Sequence, residues 1–153
     1  MLPLIIVVVV YAILTIARVR DWRTRLRFAL AVMLFVTASG HWGARRPDLM
    51  AMVPPQFPEP GLLVTLTGIL EIAGAIGLLI PRTSRLAAAL LAVLFVAMFP
   101  ANVHAARQGL TIKGKPVTAL PERTAVQIVL IGAAGAVAMG ERRRRDAGVT
   151  MTA

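Results

Sequence analysis

Glu71 stands in the middle of a long apolar run, residues 61–80, which reads GLLVTLTGILEIAGAIGLLI and ends at Pro81-Arg82. Ten residues of helix from Gly61 place it about 15 Å deep, near the midplane of a bilayer. An acidic residue at that depth costs roughly 2.5–3.5 kcal/mol on insertion scales, so it must face other protein, carry a proton or have a partner. Such a carboxyl can accept or relay protons. On a helix, Thr67, Glu71, Gly74 and Leu78 share one face, so Thr67 is expected to hydrogen-bond the carboxyl and Gly74 to admit a neighbouring helix. The alternative is structural: a neutral acid that pins two helices together.

A second set of polar residues closes two other apolar runs. His41 lies in SGHWG, and Asn102 and His104 lie in FPANVHAAR. Pro100 removes a backbone donor and frees the carbonyl of Val96, which predicts a kink just before Asn102 and a carbonyl open to water or ligand. Helix rise alone puts both histidines about 3 Å, and Asn102 about 6 Å, below the ends of their runs. Direct bonds to Glu71 are therefore not expected without tilt or unwinding. A pocket opening outward would connect the two levels, with His41, Glu71, Asn102 and His104 as its polar lining. The similar depth of the two histidines permits axial ligation of haem, which is disfavoured because there are no further histidines, and a metal held by them and a carboxylate has no tight ligand spacing to support it. The chain has no cysteine, which excludes disulfides, thiol relays and thiolate ligands. It also has no Ser/His/Asp signature, no GxGxxG and no phosphate loop.

These residues must be positioned by membrane helices. Of 153 residues, 58% are hydrophobic, against roughly 45–50% for soluble domains. Five apolar segments approach spanning length: residues 2–19, 26–42, 61–80, 86–106 and 124–140. None alternates with period two, so a barrel is excluded. The first lacks a basic leader and a cleavage site and reads as an uncleaved span. The formal charge of +10 lies between the segments without aromatic stacking platforms, which excludes a nucleic-acid surface. Eleven Lys and Arg fall on one side and six on the other, predicting an external amino terminus and a cytoplasmic carboxyl terminus in a multi-pass plasma-membrane protein.

The first outer loop, residues 44–60, holds four prolines after a short helical stretch over 46–53. The second, residues 107–123, carries Gly109, Gly114, Pro116 and Pro121. A weak duplication relates the halves: His41 and His104 each close a segment, and the loops end on Pro58-Glu59 and Pro121-Glu122. It suggests two parallel helical hairpins. The expected organisation is an amino-terminal transmembrane helix (1–20), a four-helix bundle (21–141) and a basic cytoplasmic tail (142–153). The fold class is an all-α membrane protein, a four-helix transmembrane bundle core plus one extra amino-terminal helix.

The stretch 38–106 resembles the DoxX and DoxX-like family of small bacterial membrane proteins. The likeness rests on SGHW at 39–42, RPDLMAMVPPQFPEP at 46–60, LTGILEIAGAIGLLIPRTSRLAA at 66–88 and MFPANVHAA at 98–106. It implies a core of four transmembrane helices and places His41, Glu71, Asn102 and His104 within the matching motifs. The family includes a subunit associated with thiosulfate:quinone oxidoreductase and relatives linked to membrane redox complexes. The lack of cysteine departs from any thiol-based version of such a bundle.

The leading expectation is thus a small subunit or accessory protein of a quinone-linked membrane redox system, working in the bilayer beside a redox partner. An apolar ligand would sit between helices, with His41, His104 and Asn102 on its polar head and Glu71 handling protons. Glu71→Gln and His104→Ala would then both weaken binding. The alternative is a non-enzymatic membrane subunit that binds a partner protein or lipid. Its polar residues would specify packing, with Gly68, Gly74, Gly77, Gly132 and Gly135 at close helix contacts and oligomers open to it. A solute transporter is less favoured, because no second buried acid or base suggests ion coupling.

Overall fold

Each apolar run becomes a helix, though not always with the expected ends. In a computed structural model, residues 2–112 and 114–139 are described. The helices are α1 (Leu2–Ile16), α2 (Trp22–Ala38), α3 (Arg46–Met52), α4 (Pro60–Leu79), α5 (Ser84–Arg107) and α6 (Leu120–Met139), with a 3-10 turn at Ser39–His41 after α2. Between α5 and α6 lie two short antiparallel strands, β1 (Thr111–Ile112) and β2 (Lys115–Pro116), which the sequence did not announce. The chain is otherwise helical, as expected of its class. The predicted basic tail at 142–153 falls outside the described residues.

Three helices, α4, α5 and α6, are long and apolar enough to cross a membrane. This is compatible with a multi-pass membrane protein. Among the described residues, a fourth crossing exists only if α2 with its 3-10 turn and α3, which meet at 94°, count as one broken span. At 15 residues, α1 is about 22 Å long, short of the ~30 Å hydrocarbon thickness. It stops at Ile16 because the chain turns over at Arg18, whose φ is 59°. The second segment starts earlier than its apolar run. Asp21 accepts from the backbone N–H and hydroxyl of Thr24, and this cap draws Arg23, Arg25 and Arg27 into the helix. The Thr24 hydroxyl bond holds the Asp21 carboxyl below the usual carboxylate range.

The helices present stripes at helical spacing. On α4, Val64, Gly68, Glu71, Ala75 and Leu78 are buried, while Leu62, Leu66, Ile69 and Ile76 face outward. The outward stripe of α5 includes Leu86, Leu90 and Val93, and that of α6 includes Ile128 and Val129. Large apolar side chains facing outward on all three long helices match a hydrocarbon surround rather than water. The inner faces of α2, α4, α5 and α6 meet in one cluster rich in alanine, including Ala29, Leu34, Ala75, Ala88, Leu91 and Ala134. From α1, only Val7 is buried there.

The antiparallel pair α2/α4 sets the register of the polar residues. Arg27 donates to the carbonyls of Leu78 and Leu79, satisfying the last turn of α4 with a cation at its negative end. Thr37 meets Glu71, and His41 meets Val64. Three glycines make the close approaches expected of them. A methyl at Gly68 would lie 2.8 Å from His41 Cβ and Cγ, at Gly74 2.5 Å from Leu91 and at Gly77 2.7 Å from the Ala87 methyl. Gly132 and Gly135 do not share this role. Among the described residues nothing lies within 4 Å of a methyl at Gly132, and only the end of Met139 within 3.9 Å at Gly135.

Candidate functional site

The elbow between α2 and α3 brings His41 inside the bundle. The chain does not leave at the end of α2; it turns through Ser39–His41 and runs across as α3. His41 thereby sits beside Val64, Gly68 and Glu71 of α4, roughly 6–16 Å along that helix from Pro60. A direct bond to Glu71 is not expected without tilt or unwinding; the turn supplies the unwinding, and His41 Nε2 lies 3.7 Å from Glu71 Oε1. Both residues are buried, at 5% and 4% exposure. Gly68 makes the approach possible, since any side chain there would occupy the place of the imidazole.

The pair is held from all sides. His41 Nδ1 donates to the Val64 carbonyl at 2.6 Å, so the Nδ1–H is fixed. The Thr37 hydroxyl donates to Glu71 Oε2 at 3.0 Å. Thr67, expected on the carboxyl, instead turns its hydroxyl back to the carbonyls of Leu63 and Val64. A helical threonine satisfies itself on the preceding turn in this way, which leaves Glu71 to find its hydroxyl across the helix pair. Arg46 completes the elbow. Its guanidinium donates to the carbonyls of His41 and Gly61 and to the Thr65 hydroxyl, at 2.8–2.9 Å. Arg46 and Thr37 were missed as site residues in the sequence. Arg46 read as a loop charge, and Thr37 shares no sequence neighbourhood with Glu71.

Asn102 belongs to a different cluster. Arg123 of α6 donates to its Oδ1 at 2.6 Å, and its amide donates to Gln127 at 3.4 Å. Gln127 in turn donates to the Phe95 carbonyl. The helix α5 continues through Pro100, and the carbonyl claimed by a side chain is that of Phe95 rather than Val96. A glutamine, not a ligand, takes it. His104 is placed elsewhere again, half-buried in a cleft of about 410 Å³ lined by Pro54, Gln56, Phe99, Pro100, Val103 and Arg107. Among the described residues no hydrogen bond or ion pair links His104 to His41, Glu71 or Asn102. The four predicted residues thus line three places, not one pocket. Helix faces decide this: His41 and Glu71 point into the α2/α4 seam, Asn102 toward α6, and His104 toward the loop after α3.

Chemically, these places differ. The first is a sealed acid–imidazole pair able to hold a proton. The second is a polar clasp between α5 and α6. The third is an open, mostly apolar cleft with an imidazole, a guanidinium and amides at its rim. Together with three membrane-length helices, they define a small helical protein with internal polar sites. The family model described as a domain of unknown function (DUF8561) matches residues 30–138, from α2 through α6, and the chain belongs to that family. No curated protein and no solved structure matches the sequence.

Proposed function

We propose that this protein is a small membrane subunit of a quinone-linked redox system, and that the cleft beside α5 holds the polar head of an apolar ligand. The observation that carries the reading is the cleft itself. Its volume of about 410 Å³ lies within the ~300–1,000 Å³ range of small-molecule sites. Phe99, Pro100, Val103 and Pro54 offer apolar walls, and His104, Arg107 and Gln56 offer hydrogen bonds. The likeness of 38–106 to the DoxX family supports the redox assignment. The same reading takes α2 with α3 as a broken fourth span, α1 as an added helix, and the Arg-bearing start of α2 and the turn between α4 and α5 as cytoplasmic.

The test uses the full chain in lipid nanodiscs and a short-chain benzoquinone as probe. Binding is expected to weaken at least tenfold in His104→Ala and Arg107→Ala, about 1.4 kcal/mol. Equal binding in both variants and the parent would reject the assignment. Because the chain has no cysteine, single cysteines at Arg82 and Gln108 report orientation directly. An impermeant maleimide added to intact cells should label position 108 and not position 82.

A second reading draws on a separate observation. Thr37, Glu71, His41 and Val64 form a chain of contacts that satisfies itself, as a packing device would. In that reading the protein is a non-enzymatic subunit, and Glu71→Gln lowers stability in detergent without touching ligand binding.

A further inference from the structure

The His41–Glu71 pair has a proton count that geometry constrains. A carbonyl oxygen only accepts, so the Nδ1 facing Val64 carries a hydrogen in every state, and the proton that can leave is on Nε2. Nε2 faces Glu71 Oε1. The Thr37 hydroxyl has acceptors on two sides, Glu71 Oε2 at 3.0 Å and the Leu34 carbonyl at 3.1 Å. With Glu71 ionised, the hydroxyl donates to the carboxylate. With Glu71 protonated on Oε1, the oxygen facing Nε2, Oε2 is the carbonyl oxygen of the acid and still accepts from the hydroxyl. Both forms of the acid are therefore bonded without moving a helix.

We propose that His41 and Glu71, 3.7 Å apart, form a proton-binding site holding one proton on either partner, and that this proton tightens the elbow between α2 and α3 against α4. With the proton present, the pair is either imidazolium facing carboxylate or imidazole facing acid. Its net charge is zero in both cases, which a buried site tolerates. Loss of the proton sets the Nε2 lone pair against a carboxylate and leaves an uncompensated buried charge. The nearby charged groups are few. From α3, Arg46 binds the His41 carbonyl, with Asp48 two residues further on; Arg45, in the turn, lies against Gly40. Arg46 also ties the elbow to α4 through the Gly61 carbonyl and the Thr65 hydroxyl, so the proton tightens a strap that is already there.

The elbow leads directly to the cleft. After His41 come Arg46 and α3, and after α3 come Pro54 and Gln56, which form one wall of the cleft against Pro100 and His104. An elbow held less tightly against α4 therefore loosens that wall. The pair would make access to the cleft depend on proton occupancy some distance away, a coupling between two sites. This goes beyond the ligand reading and stands whether or not the cleft takes a quinone.

The test needs no ligand. The full chain is prepared in nanodiscs with 15N-histidine; it has two histidines, and the spectrum of His104→Gln assigns them. Across about pH 4 to 9, His41 should keep the Nδ1–H and lose the Nε2 proton in a single transition. Glu71→Gln should weaken its hold on that proton at least tenfold, about one pH unit. Spin labels on cysteines at Gln56 and Gln108, opposite walls of the cleft, should show a narrow distance distribution below the His41 transition and a broad one above it. That measurement uses the native pair and survives a Glu71 variant that fails to fold. A His41 that keeps one protonation state throughout, or an interlabel distance unchanged across its transition, would overturn the proposal.

Discussion

The hairpins α2/α4 and α5/α6 carry histidines sixty-three residues apart, at matching places relative to Pro58-Glu59 and Pro121-Glu122. One histidine is sealed and the other is not. The same spacing carries Glu71 onto Ala134, Gly68 onto Ile131 and Thr37 onto Pro100. The second hairpin thus lacks the acid, the gap that would admit the ring and the hydroxyl that would bond the acid. Its helices are instead tied by Arg123, Asn102 and Gln127, and His104 is left to the cleft. A buried imidazole needs a partner, a gap and a satisfied backbone together. Where one hairpin supplies all three, the ring is buried; where the other lacks the partner and the gap, the ring stays half-buried in the cleft.

Truncation of the two histidines should separate the hairpins most sharply. His41→Ala leaves the Glu71 carboxyl buried without its ion-pair partner and empties the space against Gly68. The expected loss is about 3–5 kcal/mol, the usual result of breaking a buried pair. His104→Ala removes a half-buried ring from an open cleft and should cost no more than about 0.5 kcal/mol. Loss of helical signal on heating in detergent measures both. Equal costs would erase the distinction between sealed and open sites.

The elbow comes next in size. Arg46→Ala unties the His41 and Gly61 carbonyls and the Thr65 hydroxyl in one step. Charged hydrogen bonds of this kind contribute about 1.5–3 kcal/mol. Arg46→Lys should recover only part of that, because an ammonium cannot reproduce the flat fork that spans three acceptors. If lysine restores full thermal stability, Arg46 acts as a charge and not as a strap.

What could be read beforehand followed from local order along the chain. The helices at 60–79 and 84–107 were legible because apolar length alone decides them. Glu71 was legible as a buried acid because its depth depends only on helix rise. Its partners were not. Thr37 reaches it through the antiparallel register of α2 and α4, which no single segment encodes. The depth of His41 is not legible from the end of its apolar run, because the elbow folds the following turn into the bundle. Asn102 and His104, two residues apart, looked like one feature. On a helix that separation turns side chains about 200° apart, toward different neighbours.

The glycines give the smallest and finest contrast. Gly68→Ala forces the imidazole and the Trp42 ring away from α4, and Gly77→Ala presses against the Ala87 methyl. Overpacking at such contacts costs about 1–3 kcal/mol. Gly132→Ala, on the exposed face of α6, meets nothing within 4 Å among the described residues. The methyl should instead improve helix propensity by up to about 1 kcal/mol, so the variant is expected to melt no lower than the parent. The measurement also reads what lies against α6. If that face meets only lipid, adding a methyl does not lower thermal stability and leaves the mass of the protein in detergent unchanged. If Gly132→Ala costs more than about 1 kcal/mol and shifts that mass, a second helix seats there, and the small residues of both hairpins serve helix contacts after all. The open backbone at Gly132, set against the closed approaches at Gly68 and Gly77, favours the first outcome.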